Sequence, residues 1–489
     1  MTADAARGLR TVAKLTGGRF AAQVVLVVTA VVLPRLLGAE SYGFYAAWMA
    51  VVAIGGGVAA LGLPMVEARY LAPLWSLGRR EEALALGSSI WFGKLALGAI
   101  AAVGVAAWLL GSPQLGVDSA FIAVLALFAF ALFSSEAATS LYLPFDRSGT
   151  LSLFVIARAA LALPVVAIGF AVAGLDGVAI GLALLYSALF AATAWLLQRI
   201  APLSLRAASW STLRPFTGFA LAAFVANLAW RFQGQFAVYA IAAWSAPAQA
   251  GFLALALQPY NFLQLLVLSA RRALTPTLAD LYTRGEMQRV VDWTEVSMRC
   301  VAAAVTCVVM GWALVGRDLL VLLLGDDFLP VHATATLILL SALLYGCAEC
   351  CNMVLYLQGH ARDAAGAMIV YAVATVAGSL VAIQGGEAGT AERTALAYLV
   401  AAAVFFSFSF VNLCLRGVRL SLVPTTLVGA PVLVGAMLAG WQSPLPTRAV
   451  TLGLLLTAYV AAGHRLGLLP LAEARAVLAR RPATVGERP

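Results

Sequence analysis

Apolar residues run in stretches of about 20 along the whole sequence, and short polar segments separate them. A stretch of that length matches a helix that crosses the hydrocarbon core of a bilayer. Because a helix satisfies its own backbone hydrogen bonds in lipid, the pattern predicts an all-α polytopic membrane protein. We place fourteen transmembrane helices near 17–37, 43–63, 87–111, 119–142, 150–174, 177–199, 213–243, 250–274, 293–316, 333–358, 364–384, 392–416, 421–440 and 447–467.

Composition leaves little room for a soluble domain. The chain has 489 residues, of which 63% are hydrophobic and 11% are charged, against about 25% charged in a typical soluble domain. The net charge of +9 arises from basic residues on one side of the predicted spans, so it does not indicate a nucleic-acid partner. The opposite side holds only Arg35, Arg317, Arg393 and Arg448, and the positive-inside rule therefore predicts that both termini are cytoplasmic.

A faint internal repeat predicts two lobes. LLGAESYGFYAAW (36–48) and WSAPAQAGFLALAL (244–257) have similar patterns and are six spans apart. An even number of spans keeps two repeats parallel, so we expect two pseudo-symmetric six-helix lobes that alternate access by rocking, plus two C-terminal helices. The predicted parts are an amphipathic cytoplasmic N-terminus (1–16), the first lobe (17–199), a linker (200–212), the second lobe (213–416), two further spans (417–470) and a basic cytoplasmic tail (471–489).

Polar side chains inside the predicted spans are the candidate functional residues. Arg231 lies near the middle of an apolar span, where a charge costs at least ~2.5 kcal/mol. Guanidinium groups bind phosphate oxygens in a fork, and amides bind sugar hydroxyls, so these residues suit an anionic, hydroxyl-rich ligand such as an oligosaccharide on a diphosphate-linked lipid. The residues that we predict to line a substrate cavity are Asn227, Arg231 and Gln235 (spaced i, i+4, i+8), with Asn261, Gln264, Asn352 and Arg158.

Other roles for these residues stay open. Arg231 could form a structural ion pair with Glu349 or Glu136, and Arg158 could extend to the cytoplasmic interface. The amides could be hydrogen bonds between helices. Glu349 and Glu136 are candidates for coupling to H⁺ or Na⁺, or for ion pairs. The Gly55–Gly57 run is interpreted as a close helix contact or a kink.

Three motifs carry a resemblance to a known family. PRLLGAESYGFYAAW (34–48), LGLPMVEARYLAPL (61–74) and SLGRREEA (76–83) resemble the polysaccharide-transport family, the Wzx-type lipid-linked oligosaccharide flippases of the multidrug/oligosaccharidyl-lipid/polysaccharide (MOP) exporter superfamily. The resemblance implies two six-helix lobes in a bacterial inner membrane. It also implies the flipping of undecaprenyl-diphosphate-linked repeat units for O-antigen (lipopolysaccharide) or exopolysaccharide, driven by an ion gradient. A fourteen-helix plan is also similar to the lipid II flippases of that superfamily.

Other functional classes fit the sequence less well. A glycan polymerase or ligase needs a sizeable outer loop with acid and base groups, and the predicted outer loops are short, so we expect no enzyme. A drug exporter of the same superfamily would favour an acidic cavity over one with a central arginine. No Walker A motif is present, and the cysteines fall inside apolar spans without a metal-site pattern, so no cofactor or metal is predicted. The expected partners are the lipid-linked oligosaccharide, membrane lipids and polysaccharide polymerase or export proteins, and the protein is interpreted as a monomer.

Overall fold

The protein is a bundle of α-helices. The computed structural model describes residues 3–418, 420–422, 425–426, 428 and 445–465, and it shows no strand within them. Eight described helices are long and apolar enough to cross a membrane. A ninth span is present if the pair Trp210–Leu221 and Ala223–Trp244, which is bent by 49°, counts as one. The predicted all-α polytopic fold is confirmed.

The first compact unit comprises residues 1–248. Two of its helices, α1 (Ala3–Ala60) and α6 (Ser148–Ile200), each consist of two helical segments joined at a kink, and each segment matches one predicted span. At the kink the backbone leaves the helical region of φ and ψ. The breaks are at Gly38 (φ 77°) and at Ala173–Gly174, where Gly174 has φ 59°. The helices of this unit are α1 (Ala3–Ala60), α2 (Leu63–Val66), α3 (Ala72–Ser76), α4 (Arg80–Leu110), α5 (Ser119–Leu141), α6 (Ser148–Ile200), α7 (Trp210–Leu213) and α8 (Thr217–Trp244).

The second compact unit begins at Gln249. Its core contains a cluster of buried rings from Tyr345, Tyr371 and Phe405, and the hydroxyl of Tyr371 lies 3.2 Å from that of Tyr260. The helices are α9 (Pro247–Thr283, which starts two residues before the division), α10 (Met287–Leu324), α11 (Val331–Leu357), α12 (Ala361–Gln384), α13 (Thr390–Leu415) and α14 (Leu445–Arg465).

Helices coincide with the predicted spans except for the thirteenth. That span (421–440) lies almost wholly outside the described residues, as does the predicted basic tail (471–489). By its contacts, α8 belongs to the first compact unit, whereas the repeat places the same segment in the second lobe. A sequence repeat and the contacts between residues define a boundary by different criteria. The predicted lobe boundaries therefore stay a prediction.

A turn in the backbone at the end of α1 brings α8 close to the first helices. Leu61 and Gly62 both have positive φ (40° and 68°), which ends α1 and redirects the chain into α2. A Cβ at Gly62 would lie 2.0 Å from the carbonyl oxygen of Ala220 in α8, so only glycine permits this approach. A π-helical turn, Glu67–Leu71, follows directly. These local features set the position of α8 against α1.

Gly62→Ala should destabilise the protein more than Gly78→Ala. Both glycines have positive φ, but Gly78 has nothing within 4 Å of its would-be Cβ. The Gly78 variant should therefore lose only the conformational term of about 1–2 kcal/mol, and the Gly62 variant should lose a further ~1–3 kcal/mol from overpacking. Thermal unfolding of the two purified variants in the same detergent measures the difference. Equal losses would show that α8 does not need the close approach at Gly62.

Candidate functional site

A cavity of about 290 Å³ lies within the first compact unit. Helices α1, α4, α5, α6 and α8 contribute to its wall. Of the described residues, three cations and one carboxylate line it, so this part of the lining carries net positive charge. The lining residues are Gly56, Ala59, Ala60, Pro64, Lys94, Phe133, Ser135, Glu136, Ala137, Thr139, Ser140, Leu151, Phe154, Val155, Arg158, Leu189 and Arg231.

Arg231 reaches this cavity from α8. Its side chain passes over the glycine run of α1, where a Cβ at Gly57 would lie 3.1 Å from Cδ of Arg231. Its Nη1 donates a long hydrogen bond of 3.4 Å to the backbone carbonyl of Ala53. Among the described residues, no carboxylate lies within 4.0 Å of its guanidinium. Arg231 thus brings to the cavity a cation that no described carboxylate neutralises.

Arg158 and Glu136 form an ion pair in the cavity wall. Nη1 of Arg158 on α6 donates to Oε1 of Glu136 on α5 at 2.9 Å. The side chains are 40% and 46% exposed, so both groups remain open to solvent and to a ligand. Glu136 therefore pairs with Arg158, and Arg158 lies in the cavity wall.

A second ion pair, which is buried, lies beside the cavity. The ammonium of Lys94 on α4 donates to Oε1 of Glu67 in the π-helical turn, and the two side chains are 4% and 3% exposed. Oγ of Ser140 lies 2.9 Å from the Lys94 ammonium and 3.2 Å from the same carboxylate oxygen. Lys94 is therefore a buried residue in the middle of α4, within the predicted span 87–111. Of the cations that the described lining contains, this leaves Arg158 and Arg231 accessible.

The other predicted side chains lie elsewhere in the described structure. Asn227 and Gln235 are on α8, but they are not among the lining residues of the cavity, and Asn227 is exposed. The remaining four belong to the second unit, and their predicted roles stay predictions. Asn261 is exposed on α9, Gln264 has a buried amide nitrogen, Glu349 is 7% exposed on α11, and Asn352 is 1% exposed on the same helix.

Two residues of the site, Lys94 and Glu67, were not predicted. A signal for Lys94 was present, because it lies inside the predicted span 87–111, where a charge is costly. Glu67 follows the second predicted span, next to a turn in the backbone that hydrophobic periodicity does not reveal. Only the folded structure brings these two residues, 27 positions apart, together.

The arrangement is suited to hold an anion. Two guanidinium groups, each with forked donors, line one cavity with the hydroxyl-bearing residues Ser135, Thr139 and Ser140 of α5. Phosphate or carboxylate oxygens match these donors, and a lipophilic cation does not. A cavity of about 290 Å³ has room for a charged group but is at the small end for a whole drug-sized ligand.

Solved structures of membrane transporters share this fold. The structure of the lipid II flippase MurJ in an inward closed conformation matches with a TM-score of 0.69 at 10% identity, covering 92% of this chain and 98% of that one. A point mutant of the Vibrio cholerae MATE transporter VcmN matches at 0.52 and 16% identity, with 85% and 98% covered. An outward-facing multidrug resistance MATE transporter of the MOP superfamily matches at 0.51 and 15% identity, with 84% and 97% covered.

The sequence itself matches no family profile and no curated protein. The likeness is therefore one of fold, and it extends over nearly the whole length of both chains. These neighbours are transporters and flippases. The chain is a multi-pass membrane protein with the fold of the MOP exporters.

Proposed function

We propose that the protein is a flippase for lipid-linked glycans whose headgroup is attached through a diphosphate. The proposed substrate is an undecaprenyl-diphosphate-linked oligosaccharide repeat unit of O-antigen or exopolysaccharide type. The observation that carries the proposal is the pair of accessible guanidinium groups, Arg231 and Arg158, in one cavity. Their forked donors match the phosphate oxygens, while the lipid tail stays in the bilayer.

The charge of the cavity argues against a drug exporter for lipophilic cations. Its lining includes Lys94, Arg158 and Arg231 against one carboxylate, Glu136. The carboxylate of Glu67 neutralises Lys94, and the remaining balance is still positive. A cationic drug would be repelled by that field, whereas an anionic headgroup would be attracted. The fold shared with MATE transporters does not by itself select between these substrates.

A lipid II-type peptidoglycan precursor is the second candidate substrate. The similarity in fold to the lipid II flippase MurJ, over 98% of that chain, favours it. Nothing in the cation geometry distinguishes one lipid-linked glycan from another, because the guanidinium groups recognise phosphate rather than sugar.

The remaining parts of the proposal concern the location of the protein, its partners and the energy source of transport. We place the protein in the bacterial inner membrane with both termini cytoplasmic, acting as a monomer by alternating access beside polysaccharide polymerase or export proteins. We assign coupling to an H⁺ or Na⁺ gradient to Glu349, a buried carboxylate inside α11. The proposal includes no catalytic step and no cofactor.

Transport in proteoliposomes tests the proposed function. The full-length protein should flip a fluorescent undecaprenyl-diphosphate oligosaccharide across the bilayer, and the unlabelled compound should compete. Tetraphenylphosphonium, a lipophilic cation, should neither compete nor be transported. Parallel assays with lipid II decide between the two glycan substrates. Transport of the cation without transport of either lipid-linked glycan would refute the proposal.

A further inference from the structure

The ion pair between Arg158 and Glu136 is much more exposed than the neighbouring pair between Lys94 and Glu67. Its side chains are 40% and 46% exposed in the cavity wall, whereas those of Lys94 and Glu67 are 4% and 3% exposed. An exposed pair is worth only about 0–1 kcal/mol, and a buried pair is costly to break. A ligand that enters the cavity can therefore separate Arg158 from Glu136 and leave the sealed pair intact.

The charges in the cavity favour separation of this pair. A diphosphate diester has two negative charges, and Arg231 supplies one cation without a described carboxylate partner. The second accessible cation is Arg158, whose guanidinium Glu136 already holds at 2.9 Å. Glu136 accepts from Nη1 of Arg158, and a phosphate bound to the same guanidinium would lie beside that carboxylate, so the two anions compete for the one positive charge of Arg158.

This inference rests on the proposed function and assigns a role to one residue of that site. We propose that Glu136 is an internal competitor of the anionic headgroup: it holds Arg158 in the empty cavity, is displaced when the headgroup binds, and re-forms the pair as the headgroup leaves. It thereby weakens binding and speeds release. A transporter needs such a device because a headgroup held by two uncontested guanidinium groups would dissociate slowly.

The test compares Glu136→Gln with the unaltered full-length protein. The probe is undecaprenyl-diphosphate N-acetylglucosamine, with its Kd measured in detergent at neutral pH and its transport measured at saturation in proteoliposomes. We expect the variant to bind roughly fivefold more tightly and to transport more slowly at saturation. Glu136→Asp keeps the carboxylate and should bind the probe like the unaltered protein.

Glu82→Gln is the matched control. It removes a carboxylate from the exposed pair with Arg79, outside the cavity, and should change none of these quantities. If Glu136→Gln binds with unchanged affinity or transports faster at saturation, the role assigned to Glu136 is wrong, while binding of the probe still supports the proposed function. If the unaltered protein does not bind the probe at all, both proposals fail.

Discussion

Arg231→Gln is expected to weaken binding of the lipid-linked diphosphate by about 10- to 100-fold. A hydrogen bond to a charged group is worth about 1.5–3 kcal/mol, and each ~1.4 kcal/mol is a factor of ten in Kd. Arg231 has no described carboxylate within ion-pair distance, so its loss does not leave a buried partner behind. The effect should therefore fall on binding and transport rather than on folding.

Arg284→Gln serves as the control for this change. Arg284 forms an exposed pair with Asp280 on α9, and the same substitution there should alter neither Kd nor the transport rate. Comparison of Kd for undecaprenyl-diphosphate N-acetylglucosamine in the two variants isolates the contribution of the cavity cation. Normal binding and transport by Arg231→Gln would show that this guanidinium does not contact the substrate.

Glu67→Gln is expected to lower the free energy of unfolding by about 3–5 kcal/mol. The substitution leaves the ammonium of Lys94, which is 4% exposed, without its only described carboxylate partner. Ser140 accepts a hydrogen bond from that ammonium but cannot replace the lost negative charge. The midpoint of thermal unfolding in detergent, compared with that of Glu82→Gln, measures the loss.

A double substitution separates charge from shape at this position. Replacement of both partners, as Glu67→Leu with Lys94→Met, removes the uncompensated charge and should recover most of the stability that Glu67→Gln loses. If the double variant is as unstable as the single one, the pair acts mainly through its packing. If Glu67→Gln has unchanged stability, the ion pair contributes little to the fold.

Most of the fold could be predicted from the sequence because hydrophobic length governs membrane helices. The predicted spans 150–174 and 177–199 fall inside the single helix α6, and the break at Ala173–Gly174 lies between them. What the pattern could not reveal is which helices pack together. The association of α8 with the first unit includes a close approach at Gly62, which involves backbone dihedrals rather than hydrophobicity.

The charged residues of the candidate cavity could be picked out from the sequence, whereas the amide residues predicted beside them do not line it. Arg231, Arg158 and Glu136 are charged residues within or beside apolar runs, and the structure brings all three to one cavity. Helical spacing also places Asn227 and Gln235 on the face of Arg231, but neither lines that cavity. A long guanidinium side chain passes across the glycine run of α1 to the cavity. Spacing along one helix does not tell how far a side chain reaches.

The placement of α8 has a consequence for any attempt to divide the gene. A cut inside the predicted linker at 200–212 would encode a first fragment without Arg231, and thus without one of its cavity's two accessible guanidinium groups. A cut after codon 248 would keep every described lining residue of that cavity in one fragment. Complementation by co-expressed halves should therefore depend on where the chain is divided, with the later junction preserving the binding pocket.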